Sequence, residues 1–177
     1  MKKQWVFAAA LMAFSASSMA VDGYKNLKFG MSEKEVIESN LCSFRYYPAR
    51  ESTYAKIEDD YDCHDFQFGD KKVRAIALFL NGKLSRLGIV VTTDDYNSVL
   101  TALRSKYGPG TESPDPSQKR LLTVPGTQYA ISFDNDTVEL MSYSDEQLVI
   151  HTQIIYTIPD FFEKRDKLIS AHISNDV

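Results

Sequence analysis

The stretch that decides the fold is VRAIALFLNGKLSRLGIVV, residues 73–91. Two apolar-rich runs flank Asn81-Gly82, a pair that favours a type I′ turn because both of its residues adopt positive φ. Runs of this length on either side of such a pair predict a β-hairpin with a two-residue loop. The hairpin is the clearest supersecondary signal in the chain, and the other elements are arranged around it.

The turn sets the register of the two hairpin strands. We expect Phe79 to face Leu84 and Ile76 to face Leu87. One face then carries Ile76, Leu78, Leu80, Leu87 and Ile89, and the other carries Val73, Ala75, Ala77, Phe79, Leu84, Gly88 and Val90. Both faces are apolar enough to require cover. We expect a helix against the face with the small residues and a second layer, or a partner, against the other.

Helices are expected on both sides of the hairpin and near the end of the chain. Ser32 and Glu35 form a capping box, which predicts a short helix over residues 33–39. A second helix, with an apolar stripe at helical spacing, follows the hairpin and ends at Gly108. A closing helix is expected over about residues 160–172. These helices bracket the predicted strands along the chain.

Four more strands complete the expected sheet. They lie at about residues 121–124, 128–133, 137–143 and 147–156, with turn residues between the last three. Strands and helices in this order predict the α+β class, a two-layer fold with short helices packed on one face of an antiparallel sheet. Residues 21–177 are long enough to form a single domain with its own core.

The first twenty residues have the pattern of a secretory signal peptide. Lys2 and Lys3 precede an apolar run, and Ser18-Met19-Ala20 supplies the small residues of a cleavage site. The chain is therefore expected to be cut near Ala20 and to be periplasmic or secreted. Because Val21 and not a cysteine would follow the cut, lipidation is not expected.

Charge and hydropathy exclude several classes of partner. Loss of Lys2 and Lys3 with the signal changes the formal net charge from −4 to −6. An acidic chain without basic runs argues against nucleic acid and against anionic membrane surfaces. The chain after the signal has no apolar stretch long enough for stable membrane insertion. An envelope or secreted protein is the expected partner.

Cys42 and Cys63 are the two cysteines of the chain. An even pair in an oxidising compartment predicts a disulfide. The bridge would close a loop of about twenty residues and contribute on the order of 3 kcal/mol. Catalytic or metal-binding thiols are the alternative, but the spacing is not C-x-x-C and does not match a zinc site.

Motifs that carry catalysis are absent from the sequence. It has no nucleophile elbow, no H-E-x-x-H and no phosphate-cradling or dinucleotide-binding glycine loop. His151 lies inside a predicted strand, where a structural role is expected. An acidic cluster, Glu58, Asp59, Asp60, Asp62 and Asp65 with His64, lacks the glycine and final glutamate of an EF-hand and is interpreted as a solvated loop. No cofactor and no metal site are predicted.

The segment between the two cysteines holds the candidate contact residues. They are Arg45, Tyr46, Tyr47, Arg50 and Tyr54. Tyrosine and arginine are enriched among the residues that contribute most to protein–protein binding. A loop held at both ends also loses less entropy when it binds. The alternative is that the aromatic residues are strand residues packed on the sheet.

One local segment resembles a known class of envelope proteins. Gly30, Met31, Ser32 and Val36 match the G-M-[ST]-x-x-x-V start of the first helix in outer-membrane assembly lipoproteins of the SmpA/OmlA type. The secreted beta-lactamase inhibitor proteins have a related unit of two helices and an antiparallel sheet. The resemblance implies a non-catalytic scaffold that binds another envelope protein. The lipoprotein cysteine is missing, so membrane tethering is not implied.

The expected function is that of an exported, non-catalytic protein-binding module, such as an inhibitor or an accessory factor for an envelope partner. Two alternatives stay open. The first is a small hydrolase that uses dispersed carboxylates. The second is a carrier of a small apolar ligand, with the second sheet face lining the pocket.

Overall fold

The computed structural model describes residues 20–47, 57–113 and 122–174. The strands are β1 (Gly23–Tyr24), β2 (Leu27–Lys28), β3 (Arg45–Tyr47), β4 (Glu58–Phe68), β5 (Lys71–Leu80), β6 (Lys83–Val91), β7 (Thr111–Ser113), β8 (Gln128–Phe133), β9 (Val138–Ser144) and β10 (Ile150–Thr157). The helices are α1 (Glu33–Glu38), α2 (Tyr96–Tyr107), which follows a 3₁₀ turn at Thr93–Asp95, and α3 (Phe161–Ser174).

Eight of the strands form one antiparallel sheet. Its order is β3-β4-β5-β6-β10-β9-β8-β7, and β1 and β2 form a separate two-stranded ladder. Every pairing is antiparallel, so the α+β class is confirmed. The central contact joins β6 to β10, which brings the strands before α2 and the strands after it into one sheet. In consequence β3 and β7 lie at opposite edges.

The predicted hairpin is confirmed, but its register is wrong beyond the turn. Asn81 and Gly82 have φ of 50° and 70°, as a type I′ turn requires, and Phe79 pairs with Leu84. The register then shifts, because Ser85 is an additional residue on β6, and Ile76 faces Gly88 instead of Leu87.

This bulge decides which side chains reach the core. The Ser85 carbonyl accepts the Ile158 N–H at 3.0 Å, which gives the additional residue a backbone partner beyond β10. Because one inserted residue moves the rest of a strand to the other face, Leu87 and Ile89 join Ala75 in the core. Their predicted placement on the second face is therefore wrong.

The core lies on one face of the sheet. Its fully buried side chains include Phe66, Phe79, Leu84, Leu87, Ile89, Ile131, Leu140 and Ile154. Two helices close this face: Val36 of α1 and Val99 and Leu103 of α2 are buried in the same cluster. The capping box at α1 is confirmed, with the Ser32 N–H donating to Glu35 at 2.7 Å and the Glu35 N–H to Ser32 Oγ at 3.4 Å.

The third helix contacts the other face. Arg86, between the inward-facing residues of β6, places its guanidinium 5.1 Å from the Phe161 ring and 5.5 Å from the Phe162 ring. Arg165 on α3 pairs with Glu58 on β4. These contacts place α3 beside the hairpin turn, so it covers that end of the second face. No helix in the described part of the chain is long and apolar enough to cross a membrane.

Two local predictions are wrong. The acidic segment is the eleven-residue strand β4, because Tyr61, Cys63 and Phe66 point toward the core while Arg74 neutralises Asp62 from the neighbouring strand at 3.1 Å. The predicted strand at 121–124 is a short 3₁₀ segment followed by a bend in its described residues. The hydroxyls of Thr127 and Ser144 both donate to the Val124 carbonyl, at 2.7 and 2.6 Å, and Pro125 has no N–H for a ladder.

Candidate functional site

The candidate contact residues Arg45, Tyr46 and Tyr47 form β3, an edge strand. β3 pairs with β4 on one side, with Tyr46 opposite Tyr61, and has no strand neighbour on its other side in the described residues. All three residues are exposed, with 54% of Tyr46 and 47% of Tyr47 accessible. Since side chains alternate along a strand, the two tyrosines lie on opposite faces of the sheet.

Tyr46 is partly supported from the core side. Its ring packs edge-on against Tyr61 at 5.6 Å between centroids. The Tyr61 hydroxyl donates to Glu33 on α1 at 2.6 Å, and this hydrogen bond, with burial, raises the pKa of Tyr61 to about 12. One flank of Tyr46 is therefore held while the rest of the ring is accessible.

Tyr47 has a comparable arrangement on the second face. The Arg74 guanidinium lies 5.8 Å from its ring centroid and also pairs with Asp62. Such a cation–π contact contributes about 0.5–1 kcal/mol at an exposed site. Each tyrosine thus packs on the sheet with one side and presents the other side to solvent.

The predicted disulfide between Cys42 and Cys63 is confirmed, with 6.1 Å between the Cα atoms. It joins the segment leading into β3 to the strand that β3 pairs with. Next to it, the Asp65 carboxylate accepts the Ser43 N–H at 2.9 Å and the Ser43 hydroxyl at 2.7 Å. These hydrogen bonds keep the pKa of Asp65 below its usual range. The disulfide and the Ser43–Asp65 hydrogen bonds therefore hold the start of β3 in place.

The other two candidate contact residues, Arg50 and Tyr54, lie outside the described residues, as does the expected signal peptide at 1–19. The structure brings together Arg45, Tyr46 and Tyr47. Sulfur atoms of both cysteines lie near the Asp65 carboxylate in a group that could hold a metal ion. Because those sulfurs are bonded to each other, they offer no thiolate ligand in this state.

His151 has a structural partner. Its Nε2 lies 2.8 Å from the Asp145 carboxylate, and its ring stacks on Tyr143 at 5.1 Å. Asp145 also accepts the N–H groups of Gln147 and Val149, and the contact with His151, the largest cause, lowers the pKa of Asp145. The pair therefore organises the β9–β10 turn.

Sequence reasoning missed two apolar surfaces. The β9–β10 turn exposes about half of Leu148, Val149 and Ile150. A groove also runs between α2 and β10 on the core face, whereas the carrier hypothesis expected a pocket on the second face. The only sequence signal for the groove was the amphipathic stripe of α2, which does not reveal how closely a helix packs.

Comparisons with known proteins place the chain among relatives of similar length. An uncharacterized protein of Haemophilus influenzae is 31% identical over 160 residues, which cover 88% of this chain and 86% of the relative. An uncharacterized protein of Pasteurella multocida is 30% identical over 109 residues, 58% of this chain and 55% of the relative. No solved structure matches the chain.

The resemblance to SmpA/OmlA-type lipoproteins and to beta-lactamase inhibitor proteins is wrong. The family model that matches is neither of these. Of the residues that carried the resemblance, Ser32 belongs to the confirmed capping box of α1, and a helix start of this kind is used by unrelated folds because it satisfies orphan backbone N–H groups. The family model matches residues 24–176, and the chain therefore belongs to the family that this model defines, whose description is "Uncharacterised protein".

Proposed function

We propose that this protein is an exported, non-catalytic protein-binding module that holds an envelope or secreted partner at the β3 edge. Export is supported by the signal pattern of residues 1–20. The disulfide supports an oxidising compartment, because such bonds persist there and are rare in the cytosol. An inhibitor or an accessory factor would both use such a surface.

One observation carries the proposal: β3 is an edge strand that exposes an arginine and two tyrosines. The outer backbone groups of an edge strand can pair with an extended segment of another protein. Tyr46 and Tyr47 would then contact the partner from both faces of the extended sheet. Arg45 adds a cation that makes no ion pair within the described residues.

Pre-organisation supports the same surface. A flexible strand loses backbone and side-chain entropy when it binds, and this loss opposes association. Here the disulfide, the Ser43–Asp65 hydrogen bonds and the Tyr46–Tyr61 contact already order the strand. A partner would therefore gain contacts with little further ordering of β3.

Photo-crosslinking in cells that export the full chain tests the site. A benzophenone side chain at position 46 or 47 should give a discrete adduct with a partner protein. The matched control is the same side chain at Ser113 on the opposite edge, which is also exposed. Equal adducts from both edges, or none from β3 in protein shown to be folded and exported, would contradict the proposal.

Export is tested separately by mass spectrometry. The exported protein should begin at Val21 and carry no lipid. Recovery of the exported chain with Met1 intact, or with a lipid adduct, would overturn the assigned compartment and leave the binding test unaffected.

A further inference from the structure

A groove on the core face has walls that are almost entirely apolar. It lies between α2 and β10 and encloses about 350 Å³. Val99 and Leu103 form the helix side, Ile154 and Tyr156 form the sheet side, and Phe68 lies at one end. Small-molecule sites begin at about 300 Å³, so the groove is large enough for a small ligand.

The groove runs along the helix. Ser98, Ala102 and Lys106 follow one another at intervals of four residues and line its outer rim. With a rise of about 1.5 Å per residue, these positions span about 12 Å. Ala102 is itself exposed, so this rim is open to solvent. The shape suits an extended aliphatic chain.

The two ends of the groove differ in charge. At the start of α2, the Lys71 ammonium binds both carboxylate oxygens of Asp95, at 2.8 and 2.6 Å. Asp95 is the main cause of the raised pKa of Lys71, and Asp70 and Asp94 add to it. That end therefore has more acidic than basic groups, and its cation is already paired.

The opposite end has an unpaired cation. Lys106 makes no ion pair among the described residues, and its ammonium lies 4.8 Å from the Tyr107 ring centroid. Arg104, the other cation of this turn, is bound to Glu112 at 3.3 Å. An anion is therefore favoured at the Lys106 end and disfavoured at the Lys71 end.

Two phenols lie at the same end as Lys106. Only 5% of Tyr156 is exposed, and burial, followed by the nearby Tyr107 and Tyr24, raises the pKa of its hydroxyl. The Tyr107 hydroxyl is buried and lies close to that of Tyr156, but no partner in the described residues meets hydrogen-bond geometry. Both side chains line this end of the groove.

We propose that the groove binds a small amphipathic carboxylate. The aliphatic chain would lie along α2 against the apolar walls, and the carboxylate would meet Lys106, beside the side chains of Tyr107 and Tyr156. Charge complementarity sets the orientation, because the acidic end of the groove repels the head group. This site is separate from the β3 edge and does not depend on the proposed protein partner.

Calorimetric titration of the purified protein with decanoate and with decanol tests the proposal, since the two probes differ in the head group. Decanoate should bind more tightly than decanol. Ala102→Trp, which fills the open rim, should weaken decanoate binding by about tenfold or more, a loss of about 1.4 kcal/mol per factor of ten. Ala171→Trp, at an exposed position of α3, is the matched control and should bind normally.

Lys106→Gln tests the head-group contact. It should lower the affinity for decanoate severalfold and leave that for decanol unchanged, while Lys34→Gln on α1 should change neither. Ser98→Leu fills the same rim and replaces Ala102→Trp if that variant melts early. Unchanged decanoate binding in a folded rim variant would overturn the site. Equal affinity for the two probes, with no effect of Lys106→Gln, would overturn the carboxylate assignment.

Discussion

The two edge strands of the sheet, β3 and β7, are alike in length and pairing but differ in their side chains. β3 and β7 are each three residues long, and each pairs with one strand. On β7 the Glu112 carboxylate has two partners within the chain: it accepts a hydrogen bond from the Tyr129 hydroxyl at 2.5 Å and pairs with Arg104 at 3.3 Å. Its exposed neighbours are Thr111 and Ser113. On β3 every side chain is exposed, and two of the three are aromatic.

A tyrosine–glutamate hydrogen bond occurs beside both edges, and its location explains the difference. At β7 the glutamate belongs to the edge strand, so the bond holds that strand and leaves only small polar groups outside. At β3 the Tyr61 hydroxyl bonds to Glu33 of α1, so the edge strand keeps its own side chains available. Short polar edges discourage pairing with other chains. Within the described residues, the β7 edge therefore presents small polar side chains, whereas the β3 edge presents an arginine and two tyrosines.

Removal of the disulfide should have the largest effect on this contrast. The double variant Cys42→Ser with Cys63→Ser should lose about 2–5 kcal/mol of unfolding free energy, because the bridge restricts the unfolded chain. Urea denaturation measures the loss, and hydrogen exchange should show the β3–β4 amides opening before those of β7–β8. Two freely alkylated cysteines in the folded, oxidised wild type would contradict the bridge itself.

Truncation of the β3 tyrosines should separate binding from stability. Tyr46→Ala with Tyr47→Ala should weaken capture of a crosslinked partner by about thirtyfold, roughly 2 kcal/mol, because such side chains dominate interface energy. Since both rings are about half exposed, the melting temperature should change little. Thr111→Ala with Ser113→Ala is the matched change on the other edge and should leave capture intact. Lost stability with unchanged capture would assign the tyrosines to packing alone.

Weakening the contacts of Glu112 on β7 should have the next smaller effect on stability. Glu112→Gln removes the charge that Arg104 and Tyr129 share, and we expect a loss of about 1 kcal/mol, as for a partly exposed hydrogen bond to a charged group. Hydrogen exchange of the β7–β8 amides should quicken while that of β3–β4 stays the same. If both edges respond alike, the glutamate does not act locally.

Loss of the Tyr61 proton at alkaline pH should produce the smallest effect on stability. Because the pKa of Tyr61 is about 12 in the folded chain and about 10 when unfolded, its contribution is complete below pH 10 and is lost as pH rises through 12. The pair is partly exposed, so the loss should be below about 1 kcal/mol. Tyr61→Phe should reduce the slope of stability against pH between 10 and 12, and the other tyrosines with a raised pKa should account for the slope that is left. An unchanged slope in that variant would show that the Glu33 bond does not hold the Tyr61 proton.

Several elements could be predicted because their causes are local. The Asn81-Gly82 turn and the Ser32–Glu35 capping box each depend on a few consecutive residues, and both are confirmed. The disulfide followed from the expected compartment and an even cysteine count. The acidic β4 was missed because its pairing with β5 and the Asp62–Arg74 contact are not visible in its own residues.

The sequence predicted which residue types make up the candidate site, but not where the site lies in the sheet. The Arg45–Tyr47 segment was predicted to contact a partner because its residue types favour interfaces. Its position at the open edge depends on a sheet order in which β6 pairs with β10. The groove along α2 was not predictable, because an apolar stripe indicates that a helix packs on the sheet but not how closely, and the other lining residues, such as Phe68 and Tyr156, come from distant parts of the chain.

The sequence by itself determined the turn, the start of α1, the α+β class and the cysteine pair, since backbone preference and local hydrogen bonds act over a few residues. The tertiary structure alone decided the bulge at Ser85, the inward face of β6 and the identity of the two edge strands. These depend on burial and ladder hydrogen bonds summed over residues far apart in the chain, where one inserted residue is enough to reverse which side chains reach the core.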